Sequence, residues 1–226
     1  MLHEEAKWIG NEILQICNEG SKVLNIGSSS LSLRTIVQPH IDKLIFKPLR
    51  ENKIEVTHTD IKKEKGVDIS GDLTDHNFIK KLKENKYDIV LCSNLLEHIE
   101  DRNIIINAIE EILDFNGVAI VTVPFNYPYH MDPIDTMYRP NVSQLTKDFK
   151  KLKFLKGEII EGSSVVNNRH EKNYFIKLIN NPKLFLLVIT RVMLPFYKYL
   201  NWKKTAYGIT NIFKKFSVSA VILKKT

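Results

Sequence analysis

Residues 87–124 read YDIVLCSNLLEHIEDRNIIINAIEEILDFNGVAIVTVP. The stretch opens on an apolar run, Tyr87–Cys92, and closes on another, Val118–Val123, whose β-branched residues suit a buried strand. Between them, Arg102–Leu113 carries apolar residues at 105, 106, 109, 112 and 113, the spacing of one helix face. Ser93–Glu97 turns away from the first run, Asn116-Gly117 supplies a turn before the second, and Pro124 is expected to end it. Strand, helix and strand of these lengths make a βαβ unit, and such units build a parallel sheet with helices on its faces.

The same rhythm extends both ways. Upstream, residues 2–19 pattern as an amphipathic helix, 22–26 as a short strand, 31–37 as a helix and 54–59 as an alternating strand closed by Asp60. A short segment, 67–73, then leads to capping residues at 74–77 and a helix over 78–84. Downstream come a long loop at 124–140, a helix at 142–152 and strands at 154–160 and 216–223. The expected fold is α/β: a Rossmann-like, doubly wound, mostly parallel sheet with an antiparallel last strand. Residues 1–226 form a single domain in this reading, with residues 162–214 as a helical insertion before that strand.

Composition narrows the class. The 226 residues are 43% hydrophobic and 26% charged, ordinary for a soluble globular chain. Cys17 and Cys92 both sit in apolar runs and read as reduced core residues, with no disulfide framework and no metal site. The opening MLHEEAKWIG has acids and no long apolar core, so the expected location is cytoplasmic, or peripheral at the inner face of the membrane. The net charge of +7 is uneven: residues 1–146 hold 16 Lys and Arg against 22 Asp and Glu, and residues 147–226 hold 17 against 4. Such a split marks either a basic face for an anionic partner or a solvated lysine-rich surface.

In a doubly wound sheet, ligands bind at the carboxyl ends of the strands. The first strand leaves Gly27 and three serines there, where backbone can approach a ligand closely. The second leaves Asp60, whose two oxygens suit a ribose diol. Gly71-Asp72-Leu73 sets an acid beside an apolar residue, suited to adenine and its exocyclic amine, and the fourth strand leaves Ser93 through His98. Together these describe an adenosine-containing ligand. A nicotinamide dinucleotide fits less well, because Gly27-Ser28-Ser29-Ser30-Leu31-Ser32 offers one of the three glycines that seat a pyrophosphate.

On Val23 through Ser28, Thr59-Asp60-Ile61, Gly71-Asp72-Leu73, Tyr87 through His98 and Asn116 through Pro124, the chain resembles the class I S-adenosylmethionine-dependent methyltransferases of the small-molecule and glycan-type group. Pro128-Tyr129-His130 and Tyr138-Arg139-Pro140 match a pattern of the same group. The resemblance spans about residues 20–160 and the final strand. It implies S-adenosylmethionine as cofactor, with its methionine moiety near Asn25, Gly27, Ser28 and Ser29, ribose on Asp60, adenine near Ile61, Asp72 and Leu73, and methyl group near Ser93, Asn94 and Leu95. Two positions depart from the family: an acid is usual where Asn25 stands, and a second glycine where Ser29 stands. The alternative function is therefore a non-catalytic binding or scaffold protein of the same fold.

Methyl transfer to oxygen or nitrogen is helped by a base, and His98 and His130 are the candidate catalytic residues. His98 reads equally as a residue that holds its turn. Arg139 either clamps an anionic group or pairs with Asp135 to order the loop. Within the insertion, residues 183–204 are apolar nearly all round and flanked by lysines, which suits a lid, a homodimer contact or a helix lying on a membrane surface. The acceptor is expected to be a small molecule or glycan. The Ser93-Asn94-Leu95-Leu96 site lacks the two prolines and aromatic of base-amino methyltransferases, which argues against nucleic acid.

Overall fold

A computed structural model describes residues 1–129, 134–162, 181 and 215–226. The chain divides into two units, Met1–Glu161 with Ser217–Thr226, and Gly162–Phe216. The proposed insertion 162–214 and its segment 183–204 lie, but for Gly162 and Asn181, outside the described residues, as does His130.

The first unit is built on a seven-stranded sheet of order β3-β2-β1-β4-β5-β7-β6. Its strands are β1 (Lys22–Ile26), β2 (Glu55–Asp60), β3 (Ile69–Ser70), β4 (Tyr87–Ser93), β5 (Leu113–Asn126), β6 (Leu152–Glu161) and β7 (Ser217–Lys225). Strands β1 to β5 are parallel neighbours, and β7 runs antiparallel between β5 and β6. The doubly wound sheet and its antiparallel last strand are as the sequence predicts.

Period-two alternation along the strands makes two cores. Val23, Ile89, Leu91, Val118 and Ile120 face α1 (His3–Ile16), α2 (Pro39–Ile41), the turn Asp42–Phe46 and α3 (Lys47–Glu51). Leu24, Ile26, Val90, Cys92, Ala119 and Val121 face α4 (His76–Lys83), α5 (Arg102–Ile112) and α6 (Val142–Asp148). Asp75 and Asp101 cap α4 and α5, each accepting a hydrogen bond from a backbone N–H two residues on.

Several boundaries differ from expectation. Helix α1 stops at Ile16, because Cys17 is already extended. Residues 31–37 are helical as expected, in the wider π form from Leu33 to Val37, and the helical residues 39–51 were not anticipated. Leu113 leaves α5 and begins β5, and Pro124 does not end that strand: it pairs with Val218, with a register shift just beyond it. Asn116 takes a positive φ of 64° inside β5, so the expected turn survives as an irregularity of the strand. Helix α6 ends at Asp148, since Phe149 departs from helical geometry and Leu152 is drawn into pairing with Lys225.

Candidate functional site

The carboxyl ends of β1, β2 and β4 open on two adjoining cavities that share Gly27, Asp60, Ile61, Leu95 and Ile99. The first, of about 220 Å³, also takes in Asp72 and Leu73. The second, of about 510 Å³, takes in Asn25, Ser28, Ser29, Ser93, Asn94 and His98, together with Glu5 and Glu97. Every cofactor-binding residue that the family resemblance implies thus lines one cavity or both.

The first turn is held by backbone and by one arginine. Gly27 has φ 65°, and a Cβ there would sit 3.0 Å from Leu95 Cδ1. Ser28 N donates to the Thr59 carbonyl at 3.0 Å, and Ser29 N to Asp60 Oδ2 at 2.8 Å. Ser29 is held at φ 54°, in the left-handed region that a glycine enters without strain. The buried Arg34 guanidinium donates to the carbonyls of Ser28 (2.7 Å), Ser29 (2.8 Å) and Gly66 (2.7 Å), tying the turn to the loop after β2. Arg34 was missed in the sequence, where it reads as one more cation on a helix.

Asn25 is buried, its amide 3.1 Å from His58 Nδ1, and the His58 ring packs edge-on to Phe46. Burial pushes the imidazole down to about 4, so it is neutral at pH 7 and its Nδ1 accepts from the amide. The buried amide thus supplies the donor that the neutral ring accepts at Nδ1.

Asp60 Oδ1 accepts from Lys62 N at 3.0 Å, and Asp72 Oδ1 from Thr74 N at 2.9 Å. Each carboxylate keeps further acceptor capacity toward the cavity it lines. Ile26, Leu95, Ile99 and Ile105 give the first cavity a largely apolar wall, suited to a flat heterocycle with a diol at its edge.

On the far side, the Glu5 carboxylate is brought in by α1. It accepts from Asn94 Nδ2 (2.7 Å), Thr122 Oγ1 (2.6 Å) and Leu2 N (3.0 Å), and Asn94 itself has φ 50°. His98 Nδ1 bonds to the Ile134 carbonyl, which leaves Nε2 3.7 Å from Glu97 Oε1. Glu97 is completely buried, neither of its carboxyl oxygens has a hydrogen-bond partner among the described residues, and burial pushes it up to about 8. Arg139 forms a two-pronged ion pair with Asp135 (2.6 and 3.1 Å) and also donates to the Tyr127 and Pro128 carbonyls. Of its two expected roles, Arg139 takes that of ordering the loop.

Glu5 and Glu97 went unrecognised in the sequence. Glu5 lies far along the chain from its partners, and Glu97 stood in the quoted motif as a family marker with no chemistry attached. Among the described residues no group of His, Cys, Asp or Glu is arranged to hold a metal ion.

No family model matches the chain, and no curated protein matches it. Solved structures do. A coclaurine N-methyltransferase bound to N-methylheliamine and S-adenosylhomocysteine is 15% identical with a TM-score of 0.57, over 98% of this chain and 70% of that one. An S-adenosylmethionine-dependent methyltransferase from Archaeoglobus fulgidus is 14% identical with a TM-score of 0.55, over 99% and 94%. The [4+2]-cyclase SpnF is 12% identical with a TM-score of 0.56, over 97% and 80%. The fold of this chain is that of the class I S-adenosylmethionine-dependent methyltransferases, the fold its sequence resembles. A cyclase among the neighbours illustrates that one such fold hosts more than one reaction.

Proposed function

We propose that the chain is an S-adenosylmethionine-dependent methyltransferase acting on a small-molecule or glycan-type acceptor, by transfer to oxygen or nitrogen. The observation that supports this most is the convergence of Gly27, Asp60, Asp72 and Asn94, from four separate segments, on two adjoining cavities. The residues fit the cofactor: a glycine whose Cβ would crowd Leu95, a carboxylate at the end of β2 and an apolar slot with a second carboxylate.

In this reading Ser28 and Ser29 hold the methionine moiety beside Asn25, Asp60 takes the ribose hydroxyls, and Ile61, Asp72 and Leu73 enclose adenine. Ser93, Asn94 and Leu95 border the reacting methyl. The cofactor supplies an electrophilic methyl on a sulfonium, whose sulfur leaves as a neutral thioether. The protein's share is alignment, exclusion of water and management of the acceptor's proton. His98, on the wall of the larger cavity, is the described candidate for that proton, and His130 is the other.

Calorimetric titration with S-adenosylmethionine and S-adenosylhomocysteine tests the reading. Saturable binding is expected, and Asp60→Ala should weaken it by about 1–3 kcal/mol, the loss of a hydrogen bond to a charged group. No saturation at millimolar ligand would bring down the enzyme reading. The scaffold reading would then stand, and it draws on one observation: a serine occupies the left-handed position where the family places glycine.

The proposal extends to one methyltransferase domain interrupted by 162–214, a cytoplasmic location, and contact with a second copy or an anionic membrane surface through 183–204. Among the described residues no helix is long and apolar enough to cross a membrane.

A further inference from the structure

We propose that the methyl acceptor is an amine, and that Glu97 is the catalytic residue that binds its N–H and takes its proton. This rests on the methyltransferase reading above and adds the acceptor's chemistry to it.

The geometry comes first. Glu97 lines the larger cavity together with His98 and with Ser93, Asn94 and Leu95, the residues that border the reacting methyl in that reading. It is fully buried, and among the described residues neither oxygen has a hydrogen-bond partner, the His98 imidazole standing 3.7 Å from Oε1. A buried carboxyl left without a hydrogen bond is destabilising, whereas the neighbouring Glu5 carboxylate is satisfied by three donors. A ligand carrying N–H groups offers Glu97 the donor that the chain withholds.

The surrounding charge favours a cation. Glu97 faces Glu5 from α1, Asp135 and Arg139 from the loop after β5, Cys92 from β4 and the adjacent His98. The Asp135 carboxylate and Arg139 are spent on each other. The Cys92 thiol is wholly buried and pushed far up, so it is uncharged. Glu5 remains as a fixed negative neighbour that opposes ionisation of Glu97, and an incoming ammonium relieves that opposition.

An ammonium enters against the Glu97 carboxylate and passes it one proton, which frees the nitrogen lone pair. That pair forms the N–C bond to the methyl of a sulfonium donor as the C–S bond breaks, with its electrons going to sulfur. The methylated ammonium leaves, and Glu97 sheds its proton toward His98 Nε2, 3.7 Å away. With burial holding Glu97 up to about 8, turnover should rise with pH through that value. An alcohol, far less acidic than an ammonium, matches such a base poorly.

The test uses the whole protein, wild type and Glu97→Gln, with circular dichroism to confirm that both fold. Calorimetry with S-adenosylmethionine comes first: failure of wild type to bind brings down the methyltransferase reading itself. If it binds, infrared difference spectra at pH 7 should show a protonated carboxyl band in wild type that Glu97→Gln lacks. Adding benzylamine or n-butylamine to the S-adenosylhomocysteine-loaded protein should abolish that band, and benzyl alcohol should not. Thioether formation is then followed with methylamine, n-butylamine and benzylamine against methanol, n-butanol and benzyl alcohol. Turnover is expected with amines only, falling about 10²–10⁴-fold in Glu97→Gln, with loss of the rise near pH 8. A missing band, a band that amines leave unchanged, turnover of an alcohol, no turnover of any amine, or an unaltered pH profile in the variant would each overturn the proposal.

Discussion

At the scale of single residues, the pair Asn25–His58 makes a measurable demand on the fold. His58 is neutral in the folded chain down to about pH 4 and titrates near its ordinary value of 6.5 when unfolded. A folded value below the unfolded one means that the unfolded state binds more protons between these two values, so stability falls as pH drops from 6.5 toward 4. The span is worth ~3 kcal/mol for a group this buried. Urea melts between pH 7 and 4.5 should show the decline, and His58→Gln should flatten it. An equal decline in the variant would assign it to other groups. This pair also marks where sequence reading ran out. Position 25 was legible as a departure from a family pattern, but its partner lay on β2, in a histidine that read only as one more polar residue of an alternating strand.

At the scale of elements, helix α5 was the most legible piece of the chain. Its apolar positions predicted the buried face, and Ile105, Ile106, Ile109 and Ile112 are all buried between the sheet and α4. Ile109→Ala should cost about 2–5 kcal/mol, the transfer and cavity cost of a large-to-small change in a packed core. A shift in the urea midpoint without a change in slope would confirm it, and a loss below 1 kcal/mol would mean that the site collapses around the smaller side chain. Residues 39–51 were not legible, for a physical reason. They run as continuous helical backbone that starts at Pro39 and widens to a π form over Asp42–Phe46, so the 3.6-residue period is interrupted at its middle and cannot be read. Their docking is nonetheless specific, because Ile41, Ile45, Phe46 and Leu49 fill the core against α1. The strand ends were legible because doubly wound folds put function there. Glu5 was not, because only the packing of α1 carries it to β4 and β5.

At the scale of the whole molecule, the charge split makes the remaining prediction. Residues 147–226 carry 17 basic against 4 acidic residues. If 183–204 meet an anionic membrane, cosedimentation with vesicles containing phosphatidylserine should be strong at low salt and fall at high salt, by about 1 kcal/mol for each well-placed lysine lost to screening. Light scattering on the same samples reports a dimer instead. A monomer that ignores such vesicles leaves the basic third as a solvated face. The sheet's own topology also imposes a timetable on synthesis. Among the described residues β6 pairs only with β7, and β7 fills the gap between β5 and β6. A ribosome that has just made β6 therefore holds a chain whose β5 edge is open and whose newest strand has nothing to pair with. Both wait while residues 162–216 are translated. Through that interval the nascent chain exposes an unpaired apolar edge, and its final closure depends on contacts between segments made far apart in time.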